Sequence, residues 1–366
     1  MSFFSKAKIL AQAGMQSMGL KPYAVVVDDL PRAPGPEPEI VGHLRAGRWN
    51  QAHAAFCNLS ADDFSDLSDA ANSPADALAL ARAWARGAPG SAHAQVNLGR
   101  CLNNTAADAR GSGWANEVSQ EGWKVFHELN AEAERVLLRA AALDPTHPEP
   151  HALLIWTSLA LSRPLEETRR CFDAAVALVP DHWNAHYAFL TASTAKWCGS
   201  HEEMFDFALE VGERRPPGDP LHSMLAGAYN ELALQLVTSE GPVEGCAQMR
   251  DEDDAQELAA AYYKWLDATP QNHTSVIAER ARAGKLGNFA PNEFAVALYL
   301  TGAHDEARAV LLALNARIIK YPWVWIATTA LDQQSSGFVY DRICKELGVK
   351  PDLPSVREVM DGKRSL

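Results

Sequence analysis

Residues 133–145 read AERVLLRAAALDP and residues 168–180 read TRRCFDAAVALVP, and these two stretches decide the expected fold. Each has a small residue, a large apolar residue four positions later, a second small residue three positions after that, and a closing proline. Pro145 and Pro180 lie 35 positions apart. Alanine favours helices and proline ends them. Each stretch therefore predicts a helix that packs closely on a neighbour and ends at a fixed place.

This spacing resembles helix B of the tetratricopeptide repeat, which recurs about every 34 residues. Weaker copies of the pattern end at Pro89 and Pro217, and turns of the kind that joins two repeat helices begin at Gly47 and Gly302. The resemblance implies an all-α fold, a tetratricopeptide-like superhelix of antiparallel helix pairs (an α-solenoid), over residues 38–320. By analogy at the level of the fold, it also implies a protein or peptide bound in a concave groove.

The remaining segments flank or interrupt the predicted array. Residues 1–37 are expected to form an extended N-terminal arm, because the stretch DDLPRAPGPEPE at 28–39 contains four prolines. Insertions are expected at 103–130 and at 238–254, the second as a surface loop, and insertions in repeat proteins often belong to the binding face. Residues 321–366 are expected to form C-terminal capping helices and a tail.

The composition narrows the choice of partner and compartment. Of 366 residues, 33 are Lys or Arg and 46 are Asp or Glu, which gives a net charge of −13. Nucleic acid is not expected as a partner, because phosphate binding needs a basic face. The chain has no apolar stretch long enough for a membrane span, no recognisable secretory leader, and no CxxC pair among its six cysteines. We expect a cytoplasmic protein whose partner is neutral or basic.

The sequence contains no recognisable catalytic motif. It lacks a G-x-S-x-G elbow, a nucleophilic-cysteine motif and a phosphate-binding glycine loop. His182 and His186 are spaced to share one helix face, as zinc ligands can be, but the glutamate of H-E-x-x-H is absent. His147 and His151 have the same spacing, but two intervening prolines disfavour a helical pair. We therefore expect a non-enzymatic protein without a cofactor or a metal.

Two segments rich in tryptophan are candidates for binding. At the corner between two predicted helices, Ser200 is placed as an N-cap, and Lys196 and Trp197 precede it. This corner is either a plain helix–helix turn with Trp197 as a wedge, or a ligand loop that uses Lys196 and Trp197. In the first insertion, Trp114 and Trp123 either pack the insertion down or form a recognition platform.

The repeat phase gives the positions that would line the groove. With Ala92, Pro148 and Trp183 as the first residues of three inner helices, the lining face is mixed and mostly apolar or aromatic. Only Arg100 and Asn97 resemble the basic clamp with which related repeats bind acidic tails, so an acidic tail is not expected as the ligand. The binding candidates on this face are Arg100, Asn103, Trp156 and Tyr187.

Four short motifs resemble those of an uncharacterised bacterial family with many actinobacterial members. They are GSGWA at 111–115, EGW at 121–123, LDP at 143–145 and KWCGSHEEM at 196–204. The family carries a domain of unknown function, so the resemblance implies a bacterial origin and transfers no activity. The leading hypothesis is a non-enzymatic interaction scaffold. The alternative is a small-molecule-binding protein or enzyme whose site combines the Trp-rich insertion with the Lys196–Ser200 corner.

Overall fold

The computed structural model describes residues 25–26, 37–57, 59–60, 63–64, 67–68, 71–72, 75–111, 115, 117–197, 199–267, 272–282 and 285–352. Within these ranges the chain forms sixteen α-helices and one pair of two-residue parallel strands. The predicted all-α class is therefore confirmed. The predicted arm at 1–37 and the final tail lie almost entirely outside the described residues.

Backbone contacts divide the chain into two units. The first comprises residues 32–207, and the second comprises residues 1–31 and 208–366. The helices of the first unit are α1 (Glu37–Arg45), α2 (Trp49–Phe56), α3 (Ala77–Gly87), α4 (Ala92–Arg110), α5 (Gln120–Leu143), α6 (Glu149–Ala160), α7 (Leu165–Leu178) and α8 (Trp183–Ala192), followed by α9 (His201–Glu213), which runs across the boundary.

The first unit is built from helices that pack on their neighbours along the chain, from α3 to α8. The predicted contact residues of α5, Ala133, Leu137 and Ala140, are fully buried in its core. A methyl group added at Gly99 on α4 would overlap the Leu137 side chain, so this glycine lets α4 and α5 touch. Helix α5 ends at Leu143, two residues before Pro145, as the sequence predicts.

The first predicted insertion mainly lengthens two helices. Helix α4 continues to Arg110, and α5 begins at Gln120 with Ser119 as its N-cap, whose hydroxyl accepts a hydrogen bond from the Gly122 amide at 3.0 Å. The predicted span 103–130 therefore holds a connection of only nine residues, 111–119. The other residues of this span belong to α4 and α5 and lengthen the contact between these two helices.

Within its described residues, the second unit contains α10 to α16, three short 3₁₀ helices that are described over their full length, and the strand pair. The 3₁₀ helices are Pro220–Ser223, Trp323–Ile326 and Asp332–Gln334, and the strands are β1 (Val25–Val26) and β2 (Arg317–Ile318), with Val25 opposite Arg317. The helices are α10 (Met224–Glu240), α11 (Pro242–Gln248), α12 (Glu252–Leu266), α13 (His273–Arg282), α14 (Lys285–Thr301), α15 (His304–Leu314) and α16 (Ser336–Glu346).

Two sequence expectations for the second unit need correction. The expected surface loop at 238–254 contains helix α11, which starts at Pro242 and lies against α10. A methyl group at Gly245 would stand 2.5 Å from the backbone of Leu236 and Val237, so the glycine permits this contact. The apolar segment after Tyr321 forms only the short 3₁₀ helix Trp323–Ile326, and the Trp323 indole N–H donates to the Asn292 side-chain oxygen at 2.7 Å.

Candidate functional site

The structure places the predicted binding residues on four helices and one corner. Arg100 and Asn103 lie on α4, Trp123 at the start of α5, and Trp156 and Tyr187 on α6 and α8. Lys196, Trp197 and Ser200 form the corner between α8 and α9. Trp114 lies outside the described residues, so a pocket shared with Trp123 remains a prediction.

Arg100 belongs to a buried ionic network. Its guanidinium pairs with Glu149, the first residue of α6, and the other Glu149 carboxylate oxygen lies 3.1 Å from His182 Nε2. His182 Nδ1 accepts the Ala185 amide at 3.2 Å and caps α8, so the ring proton sits on Nε2 and is donated to Glu149. The network thus links the starts of α6 and α8 to the middle of α4.

The charges in this network determine the pKa of the Glu149 carboxyl, whose side chain is only 1% exposed. Burial by itself would raise the pKa of Glu149, but the Arg100 charge and the His182 hydrogen bond outweigh burial and lower it to about 2. Glu149 is therefore ionised at neutral pH. Because Glu149 pairs with both Arg100 and His182, the arrangement is a structural clamp between α4, α6 and α8.

This network corrects the expectation that Arg100 and Asn103 line an open groove. Arg100 is buried, and the Asn103 amide N–H donates to the Thr157 hydroxyl at 3.1 Å. Other predicted lining positions are also buried, among them Ala152 and Thr191. On this face Arg100 is paired inside the protein, whereas Asn103, Trp156 and Tyr187 remain half-buried.

Trp123 holds the connection between α4 and α5 in place. Its indole N–H donates to the Ala115 carbonyl at 3.3 Å, its ring stacks on His127 at 5.6 Å, and the Arg110 guanidinium lies 5.5 Å from the ring centre. These contacts favour the packing interpretation for Trp123. Tyr187 is likewise stacked, at 5.0 Å, on the buried Trp183, and Trp156 is half-buried.

Hydrogen bonds hold the backbone on either side of Trp197 in the corner. The Trp197 and Gly199 amides both donate to the Thr194 carbonyl, and Ser200 caps α9 by accepting the Glu203 amide at 3.1 Å. Lys196 and Trp197 are exposed, and Trp197 retains 41% of its accessible surface. Among the tryptophans whose side chains the structure describes, Trp197 is the one that is exposed.

Sequence reasoning missed a histidine cluster between α2 and α4. His53 and His93 face each other with their Nδ1 atoms 3.2 Å apart, and Cys57 follows His53 by one helical turn. The ring centres of His93 and His147 are 5.4 Å apart. Burial, His147 and His53 together lower the pKa of His93 to about 4, so its ring is neutral at pH 7. The 40-residue gap between His53 and His93 matches no motif, which is why the sequence did not reveal the cluster.

A cavity of about 370 Å³ lies in the second unit. Its wall combines apolar groups of Val243 and Leu300 with Arg342, whose guanidinium donates to Asp332 at 2.9 Å and to the Tyr299 hydroxyl at 3.3 Å. Arg250, whose side chain is exposed, and Glu346 also line the cavity. No sequence pattern indicates this cavity, since its residues come from four separate segments.

The comparisons with known proteins identify one region. Residues 44–166 match the model of a family described as a domain of unknown function, DUF4034. No curated protein matches the chain. None of the described helices is both long and apolar enough to cross a membrane. The histidine cluster and the Arg100–Glu149 pair lie inside the matched region, as part of a domain whose function is unassigned.

Proposed function

We propose that the protein is a non-enzymatic bacterial interaction scaffold of the cytoplasm, built on a tetratricopeptide-like helical array. The stepwise packing of α3 to α8 supports this proposal, as does the burial of the small and large residues that define helix B. Thr168, Phe172 and Ala175 on α7 are buried like their counterparts on α5. The five cysteines described are unpaired, as a reducing compartment would favour.

The observation that carries the proposal is the exposed Trp197 on its hydrogen-bonded corner. Tryptophan is enriched among the few residues that supply most of the energy of protein–protein contacts. Exposing this side chain is unfavourable for the free protein, and the hydrogen bonds on either side of it reduce the order that has to be gained on binding. We therefore expect the partner to contact this corner.

The charges around the corner suit a neutral or basic protein partner. Lys196 is accompanied by Glu202 and Glu203, both exposed on the first turn of α9. The net charge of the chain is −13. Such a field attracts basic partners and repels acidic ones.

Trp197→Ala is expected to weaken partner binding by roughly 30-fold, since a central tryptophan contributes about 2 kcal/mol or more. The partner is to be isolated by quantitative affinity purification from a bacterial lysate with the wild-type chain as bait. Its dissociation constant is then measured by titration calorimetry for both chains.

The matched control is Leu138→Ala, which removes an apolar side chain that is 56% exposed on α5, away from the corner. This variant should bind the partner with unchanged affinity. Equal affinities of the wild type and Trp197→Ala, or no partner enriched over an unrelated bait, would contradict a docking role for the corner.

The cavity of the second unit favours a second candidate function, the binding of a small molecule. Its volume falls in the range of ligand pockets, which is about 300–1,000 Å³. An apolar wall next to the Arg250 cation suits an amphipathic anion. The residues that line it are not those of the Trp-rich insertion or of the Lys196 corner, where the sequence placed this alternative.

The fluorescent anion 8-anilinonaphthalene-1-sulfonate tests this candidate. Arg250→Ala should weaken its binding by about tenfold, because one charge-assisted hydrogen bond is worth about 1.5 kcal/mol. Ala247→Trp, which adds bulk from an exposed position of α11, should abolish binding. Lys264→Ala removes an exposed cation elsewhere in the unit and should change nothing. If Ala247→Trp binds the dye like the wild type, the cavity is not the binding site.

A further inference from the structure

Three potential metal ligands converge where α2 meets the start of α4. His53 and Cys57 lie four residues apart, which places them on one side of α2 at its end. His93 comes from the first turn of α4. The ligand atoms of the three side chains all lie within 4.8 Å of one another. Residues 40 positions apart in the sequence thus form one compact set of two imidazoles and one thiol.

The spacing of these atoms matches a tetrahedral metal site. Two nitrogens bound to one Zn²⁺ at 2.0–2.1 Å are about 3.3 Å apart, and a nitrogen and a sulfur about 3.6 Å apart. The Nδ1 atoms of His53 and His93 are already 3.2 Å apart. The Cys57 thiol, which contacts the His53 carbonyl at 3.4 Å, has to move by about 1 Å at most, which a side-chain rotation provides.

From this geometry we infer that His53, Cys57 and His93 form a metal site for Zn²⁺ or a similar ion that prefers nitrogen and sulfur. Two imidazoles and a thiolate suit zinc, whereas Mg²⁺ and Ca²⁺ require oxygen ligands. Three protein ligands leave one tetrahedral position for water, as in zinc sites that keep an open coordination position. The site is independent of the Trp197 corner proposed for the partner.

The surroundings are suited to holding such an ion. On one side, the rings of Phe56 and Phe64 lie 6.2 and 5.6 Å from the His93 ring centre and form an apolar wall. On the other side, His53 is exposed and the Ser91 hydroxyl lies 3.4 Å from its Nδ1. The wall fixes the ring of His93, while the open side gives the ion a route in and room for a water ligand.

A plain hydrogen bond between the two histidines is the competing explanation for their short distance. One neutral ring can donate to the other at 3.2 Å without any metal. In that explanation the Cys57 thiol has no part in the contact. A role for the thiol therefore distinguishes the two explanations.

Cobalt and zinc titrations of the full chain, after treatment with a chelator, test the inference. The wild type should bind one Co²⁺ with the visible bands of a tetrahedral site and a near-ultraviolet thiolate-to-metal band. Zn²⁺ should displace the cobalt and raise the melting temperature. Cys57→Ser should remove the thiolate band and weaken Zn²⁺ binding by more than about 100-fold, beyond what outer-shell changes cost. His93→Gln should weaken it to the same extent.

Cys246→Ser and His151→Gln serve as controls, because they change a half-buried thiol and a half-buried imidazole outside the cluster. Both should bind Zn²⁺ like the wild type. Circular dichroism of the metal-free variants shows whether each one folds. Unchanged affinity in a folded Cys57→Ser, or a cobalt spectrum without a thiolate band, would overturn the assignment. Binding that survives Cys57→Ser but is lost in His147→Gln would overturn it as well.

Discussion

Glu149→Gln is expected to destabilise the protein by about 3–5 kcal/mol, the usual cost of removing one partner of a buried ion pair. The change keeps the shape of the side chain but removes its charge, and leaves the buried Arg100 guanidinium facing a neutral amide. The carbonyl of the new amide can still accept the His182 proton, so the loss reports mainly on the Arg100 pair. Urea unfolding monitored by circular dichroism measures the difference.

A double-mutant cycle separates the ion pair from the burial of its members. Arg100→Met together with Glu149→Gln removes both charges, and the double variant should recover to within about 1 kcal/mol of the wild type. Glu166→Gln makes the same chemical change on an exposed glutamate of α7 and should cost about 0.5 kcal/mol or less. If the double variant is as unstable as the sum of its single changes, Arg100 and Glu149 act independently and the clamp does not exist.

The difference in stability between the wild type and Glu149→Gln is expected to depend on pH. The folded-state pKa of Glu149 is about 2, below its ordinary value of 4.5. Between these values the unfolded chain binds the proton more readily, so stability falls with falling pH in the wild type. The wild type's advantage over Glu149→Gln is therefore complete above pH 4.5 and should shrink as the pH approaches 2.

The helices were largely predictable, because residues close in the chain determine where each helix begins and ends. Pro145 and Pro180 lie two residues beyond the ends of α5 and α7, and the small residues of these helices are buried against neighbours. Such features depend on residues close in the chain. The helix α11 was missed because Gly241 and Pro242 are also typical of a loop, and its contact with α10 joins residues whose pairing no local pattern indicates.

The site was less predictable, because its decisive contacts join distant segments. Arg100 occupies a position that could line a groove. It is part of a buried clamp because Glu149, on α6, pairs with it. The histidine pair forms because the fold places His93 next to His53, and no rule of sequence spacing predicts that these two residues are in contact. Local sequence shows which face of a helix makes contacts, but it does not show whether a ligand or the protein itself fills that face.

Gly199→Ala is the second change with a large expected effect, a loss of about 3 kcal/mol. From the sequence, this glycine indicates a tight turn, yet its φ is not in the left-handed region. The reason for glycine is close approach. An added methyl group would stand 2.6 Å from the Ser193 carbonyl carbon and would overlap the carbonyl oxygen. Backbone atoms cannot rotate away as a side chain could, so the end of α8 or the start of α9 has to shift.

Gly42→Ala is the matched control. Gly42 lies within α1, and a methyl group there would meet nothing within 4 Å. Because alanine is the better helix former, this variant should be more stable by about 0.5–1 kcal/mol, the opposite sign to Gly199→Ala. Thermal unfolding of both variants measures the contrast. If Gly199→Ala melts like the wild type, the corner is soft, and Trp197 then lacks the rigid support on which its role as a binding anchor depends.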